Sequence, residues 1–153
     1  MDTNITASTS GNTEAIEHSL QSLQERYMLT QVGQQQLVFP TRWVGEIMLV
    51  ERSQILKLPF YDRSLLGLMH HGGTIVPLLD AHPLILETLG QDARSRTLKE
   101  SLTVVRLRST IDGLAGVGIV VDRVIGSVSS EQITELRLFQ RSDIPNHLWQ
   151  PRW

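Results

Sequence analysis

The stretch "GLMHHGGTIVPLLD", Gly67 to Asp80, places two apolar runs on either side of a His-His-Gly-Gly centre. Such a centre has three readings: a metal site, a catalytic centre or a turn. The flanks favour the turn. "LLGLM" and "TIVPLL" are each of strand length, and the second carries Thr, Ile and Val, so glycines between them supply the positive φ values that a tight hairpin requires. The two histidines then sit next to each other at a strand end, where successive side chains diverge to opposite faces. Pro77 cannot donate to a ladder and belongs at an edge, a bulge or a position whose amide direction is free. Asp80 is placed to cap the next turn, Pro83 is tolerated in a first helical turn, and Gly90 stops "LILETLG".

Outward from the hairpin, the same texture of brief apolar runs continues. "YMLTQV" and "LVF" flank a turn at Gly33 and read as a strand pair. "PTRWVGEI" is predicted to make one or two helical turns with Thr41 as N-cap, and "IMLVERSQILKLP" to run extended to Pro59. In "TVVRLRS", Val105 and Leu107 face one way and Arg106 and Arg108 the other, as in a half-buried strand. "LAGVGIVVDRVIGSVSS" reads as two further strands, with "QDARSRTLKES" a polar connection before them. Short strands at this spacing suggest small barrels. At the N-terminus, residues 1–13 are too polar to bury a core and read as a disordered tail. Ile16, Leu20, Leu23 and Tyr27 then fall on one helical face, so residues 14–26 form an amphipathic helix in this reading.

Composition narrows the function. The 153 residues carry a formal net charge of −2 and a pI near 6.2, which leaves no basic field for nucleic acid. With no cysteine, a disulfide framework, a thiolate zinc site and a cysteine nucleophile are all excluded. There is no signal-peptide pattern and no apolar run reaching the ~18 residues of a membrane span, so a cytoplasmic protein without direct membrane insertion is expected.

"YMLTQVGQQQLVFPTRWVGEI", "LKLP" followed by "LLGLMHHGGTIVPLLD", and "VGIVVDRVIGSV" followed by "SSEQI" resemble, in order and spacing, the signature segments of the CheW-like domain, the coupling protein of bacterial chemotaxis and of related pilus-motility systems. The resemblance covers residues 27–133. It implies a mainly β fold of two small five-stranded β-barrel subdomains with short helices. It also implies a non-catalytic adaptor without cofactor or metal, joining the cytoplasmic hairpin of methyl-accepting chemoreceptors to the regulatory domain of a CheA-type histidine kinase. Partner-binding positions carried by the resemblance are Val44, Glu46, Met69, His70, His71 and Gly72.

Two departures from the family pattern stand out. The family's hairpin turn reads Asn-Leu-Arg-Gly, which puts Gly72 at the arginine; that arginine supports the receptor-side contact and pairs with a glutamate corresponding to Glu46. A scaffold that binds the kinase but not receptors is therefore an alternative. The second departure is at the C-terminus, where the family continues past "EQI" with a strand and a helix, whereas residues 134–153 form a shorter tail. The expected consequence is an unpaired barrel edge near "YMLTQV". Three segments could fill it: the 14–26 helix, a strand of a second copy in a homo-oligomer, or the tail folding back with Leu138, Phe139, Leu148 and Trp149. The tail is favoured. Trp149 and Trp153 admit two readings, as interface anchors or as plugs in the chain's own core.

The enzyme readings lack an assembled constellation. His82, the nearest other ligand to His70 and His71, lies beyond the next strand, and Asp80 and Asp122 each follow an apolar strand as turn caps do. "GLAGVG" is not followed by the Lys-Ser/Thr pair of a phosphate loop. Untagged protein is accordingly expected to carry no zinc or nickel by elemental analysis. Stoichiometric metal, lost on replacing His70 and His71 by Ala, would contradict the turn reading.

Overall fold

Strand-forming residues in runs of two to eight, cut by glycine and polar turns, build two antiparallel-rich sheets in the computed structural model, which describes residues 26–86, 99–108 and 116–149. Strands β1 (Tyr27–Val32), β2 (Gln35–Pro40), β8 (Arg123–Val128) and β9 (Arg137–Leu138) form a four-stranded sheet in the order β8-β1-β2-β9. Strands β3 (Val44–Glu51), β4 (Leu65–His71), β5 (Thr74–Asp80), β6 (Ser101–Leu107) and β7 (Gly118–Val121) form the second, in the order β3-β6-β7-β5-β4. A single short helix, α1 (Ala81–Leu86), is present among the described residues. The fold is thus mainly β. The expectation of five strands in each unit holds for the second sheet, whereas the first shows four among the described residues.

The second sheet curls because its far edge meets the chain again. After β3, a 3-10 turn at Arg52–Gln54 interrupts the extended run expected up to Pro59, and its Gln54 side chain accepts from the Glu51 amide at 3.0 Å. The chain then returns so that Leu56 exchanges two backbone hydrogen bonds with Leu68 of β4, at 2.8 and 2.9 Å. Gly67 makes that approach feasible. Its φ is 152° and a Cβ there would lie 2.3 Å from the Leu56 carbonyl oxygen.

One strand divides two cores. Along β6, Leu102 and Val104 face a cluster inside the second barrel with Met48, Val50, Met69, Val76, Leu78 and Val120. Val105 and Leu107 face a larger cluster shared with the first sheet, through Val32, Leu37, Phe39, Leu79, Ile119 and Val121. The half-buried alternation expected for this strand is corrected here: its arginine end is polar on one face, but Leu102 and Val104 bury that same face deeper in.

The C-terminal residues join the shared core. Phe139 stacks on Phe39 at 4.8 Å and meets Trp43 edge-on at 6.2 Å, while Ile144 and Leu148 are buried beside them. Arg137 holds Asp143 through two hydrogen bonds of 2.8 and 3.3 Å, folding the segment into its 3-10 turns. The expectation of an open edge at "YMLTQV" is corrected: β1 is internal, paired with β2 on one side and β8 on the other. The tail adds its strand to β2, in parallel. At Thr41 the expected cap is also absent; the 3-10 turn Thr41–Trp43 starts after Pro40 with no side-chain cap. Residues 1–25, with most of the expected 14–26 helix, and Gly90 lie outside the described residues.

Two substitutions test this packing. Gly67→Ala forces either the Leu56 bridge or the β4 backbone to move and is expected to cost roughly 2–5 kcal/mol in denaturant unfolding. Phe139→Ala removes a ring from the shared core and is expected to cost about 3–5 kcal/mol. A loss below about 1 kcal/mol at position 139 would mean that the C-terminal segment is not part of the cooperative fold.

Candidate functional site

Because side chains alternate across a strand, the rows that fill the second barrel can be followed outward to its rim. Val50 and Met48 on β3 lead to Glu46, and Leu102 and Val104 on β6 lead to Arg106. Met69 on β4 leads to His71, and Leu78 and Val76 on β5 lead to Thr74. Four polar side chains therefore close one end of an apolar barrel. Arg106 Nη1 donates to Glu46 Oε1 at 3.0 Å, and Arg106 Nη2 reaches Thr74 Oγ1 at 3.4 Å. His71 Nε2 approaches the same Glu46 oxygen at 3.3 Å.

Exposure sets the strength of this cap. The Glu46, His71 and Arg106 side chains are 42%, 39% and 25% exposed, so their mutual attraction is screened and worth at most about 1 kcal/mol to stability. What the cluster provides is orientation. A carboxylate held by a guanidinium and an imidazole presents a fixed charge pattern at the surface, with Arg106 retaining further donors.

The hairpin at the rim is as expected. Gly72 and Gly73 form its two-residue turn with φ of 56° and 80°, and Thr74 Oγ1 donates to the His71 carbonyl at 2.8 Å. Two positive φ values in succession identify the primed turn that suits the twist of a hairpin. The histidines diverge as expected: His71 turns to Glu46, while His70 is exposed on the other face opposite Ile75. Pro77 sits one residue before β5 begins to pair with β7, so its missing N–H breaks no bond to that strand.

Of the other expected partner-binding residues, Val44 and Met69 are buried, at 7% and 5% exposure, and support the surface from beneath. Trp149 ends the last 3-10 turn, but its side chain lies outside the described residues, as does Trp153. Next to the polar cap, Ile47 and Leu49 on the outer face of β3 are 46% and 76% exposed.

Asp80, Asp122 and His82 serve the fold. Asp80 Oδ1 accepts from the His82 amide at 3.2 Å, the capping expected of it. Asp122 does more than cap: its carboxylate accepts from the Gly33 amide at 2.7 Å and meets His82 Nε2 at 2.8 Å, tying α1 to the β1–β2 turn. Among the described residues, no three His, Asp or Glu converge as a metal site. Sequence reading missed Arg106 as a member of the cap. The usable signal was its position on the polar face of "TVVRLRS", but only the pairing of β6 with β3 puts that face over Glu46.

Comparison with known proteins bears on the fold. The model of the CheW-like domain matches residues 26–147. Among solved structures, the scaffolding protein TtCheW from Thermoanaerobacter tengcongensis is similar, with a TM-score of 0.52 and 18% identity over 69% of this chain. The match spans 64% of the length of that chain, and at this identity it shows a shared fold. No curated protein matches. With two sheets, a shared core and a family match across most of its length, the chain belongs to the CheW-like domain family.

Proposed function

We propose that this protein is a non-catalytic adaptor that couples methyl-accepting receptors to the regulatory domain of a CheA-type histidine kinase, in a chemosensory or pilus-motility array. It acts in the cytoplasm and reaches the membrane only through its partners. No helix among the described residues is long and apolar enough to cross a membrane.

The observation that carries this reading is the state of Glu46. The family pattern pairs this glutamate with an arginine in the hairpin turn; here that position is Gly72, yet Glu46 still meets a guanidinium, supplied by Arg106 from the neighbouring strand at 3.0 Å. A charged pair on the receptor-facing rim is thereby retained with a different donor. The exposed Ile47 and Leu49 beside it offer apolar anchors of the kind that dominate protein interfaces. In this scheme His70, His71 and Gly72 line the receptor side, and Val44 and Met69 hold the rim in place.

A second reading follows from Gly72 itself. As a glycine, with φ of 56°, it leaves no side chain at the tip of the turn, which suits a scaffold that binds the kinase and makes no arginine-dependent receptor contact. The same φ means that restoring the arginine by Gly72→Arg strains the turn by about 1 kcal/mol or more, so that substitution is a poor test.

Arg106→Ala is the better one. Binding to the isolated kinase regulatory domain, measured by calorimetry without metal or nucleotide, is expected to be micromolar or tighter and unchanged in the variant. Receptor-dependent stimulation of the kinase in reconstituted membranes is expected to fall about tenfold, the equivalent of ~1.4 kcal/mol. Absence of kinase binding would overturn the adaptor reading. Intact kinase binding with stimulation undetectable in the wild-type protein would instead favour the kinase-only scaffold.

A further inference from the structure

The end strand of a sheet exposes a row of unpaired backbone groups, and proteins usually protect it. Three of the four end strands here are protected. β9 is two residues long, β8 carries Arg123, Gly126 and Ser127 and meets β1 through a bulge, and β4 is bridged by Leu56. β3 is different. It is eight residues long, contains neither lysine nor proline, and pairs only with β6 among the described residues. Its one irregularity, between Val44 and Glu46, lies at its start.

The direction of its free groups follows from the register. The Leu107 amide donates to the Val117 carbonyl at 2.8 Å and the Leu107 carbonyl accepts from the Gly116 amide at 3.3 Å, so the odd-numbered residues of β6 turn to β7 and the even-numbered ones to β3. Glu100 agrees, since its carbonyl accepts from the Arg52 amide at 2.7 Å. On β3 the residues bonded to β6 are therefore Glu46, Met48 and Val50, and the amides and carbonyls of Ile47 and Leu49 point away from the sheet. Among the described residues those groups meet no hydrogen-bond partner. The side chains are uncovered as well: Ile47 is 46% and Leu49 76% exposed, on the face opposite the barrel interior.

We propose that this edge pairs antiparallel with the same strand of a second copy, about a two-fold axis at Met48, so that Ile47 of each chain lies opposite Leu49 of the other. Three features select a second copy. Bonds form only between outward-pointing residues, so a symmetric pair must bring odd-numbered residues together, and the register centred on Met48 sets the two free residues of each copy against those of the other. Centring on Ile47 would instead waste Leu49 against Gly45, and centring on Leu49 would set Ile47 against Glu51. The Met48 register also places no like charges opposite each other, since Glu46 faces Val50 and Glu51 faces Gly45. Finally, alternation puts Ile47 and Leu49 of both copies on one face, where they close over one another.

The two five-stranded sheets become one continuous sheet, and Ile47 and Leu49 leave the surface. The pairing rests on the edge alone and not on the adaptor reading. Where that reading holds, the same side chains are the apolar anchors beside the rim, so the paired and array-bound forms exclude each other.

Sedimentation equilibrium of the full-length protein is expected to show a dimer with a dissociation constant of about 1–100 μM. Leu49→Lys, a change at an exposed side chain, is expected to weaken the dimer at least about tenfold and to leave the unfolding midpoint in place. Amide hydrogen exchange reads the register. Between dilute and concentrated protein the Ile47 and Leu49 amides are expected to slow about tenfold or more, while the Met48 and Val50 amides, already bonded to β6, keep their rates. A protein that stays monomeric up to about 1 mM would overturn the proposal. So would a dimer insensitive to Leu49→Lys, or one whose Ile47 and Leu49 amides exchange as in the monomer.

Discussion

A single strand that must be apolar on both sides is the constraint on which this structure turns. Val104 and Val105 are both completely buried and are neighbours in the chain, yet they belong to different cores. The five-stranded sheet is therefore wall to two compartments. One is the interior of its own barrel, and the other is the layer shared with the four-stranded sheet. Everything else follows from filling both: the Leu56 return that curls the sheet, the glycine that permits it, and the C-terminal ring of Phe139 that completes the shared layer. Burying Val104 and Val105 in succession closes both faces of β6 at its middle, and its polar side chains lie toward the two ends, Ser101 and Thr103 at one and Arg106 at the barrel rim.

Much of this was legible in the sequence wherever the signal was local. Gly72 and Gly73 flanked by apolar runs declare a hairpin, and the structure has it with His70 and His71 at its strand end. Asp80 announced its capping role by position alone. What could not be read was set by distant pairing. "YMLTQV" gives no sign that its second neighbour is β8, about a hundred residues away, so by itself it reads as an edge. Nor does alternation in "TVVRLRS" tell that a strand is sandwiched between two cores, because Leu102 and Val104 carry the same pattern whether they face solvent-side side chains or a barrel interior.

The candidate site shows the same division. The family resemblance points to Glu46 and the hairpin, whereas Arg106, which holds Glu46, reads in sequence as an ordinary outward strand residue. The rim pair is a cross-strand contact between β3 and β6, and such contacts exist only once register is set. Placing the guanidinium on a strand instead of in the turn has a physical consequence. A turn arginine needs a side chain at the tip of the hairpin, while a strand arginine frees the turn to be two glycines with positive φ. The charge is kept and the turn is relieved of strain.

The central claim is that Glu46 and Arg106 act as one unit on the receptor-facing rim. A double-mutant cycle addresses it most directly, with Glu46→Gln, Arg106→Gln and the double variant measured for affinity toward a receptor cytoplasmic fragment. Neither change is expected to disturb the fold, since both side chains are partly exposed. The account predicts a coupling energy of about 1 kcal/mol or more, the second substitution costing little once the first is made. Strictly additive losses, or no loss from either single variant, would contradict it.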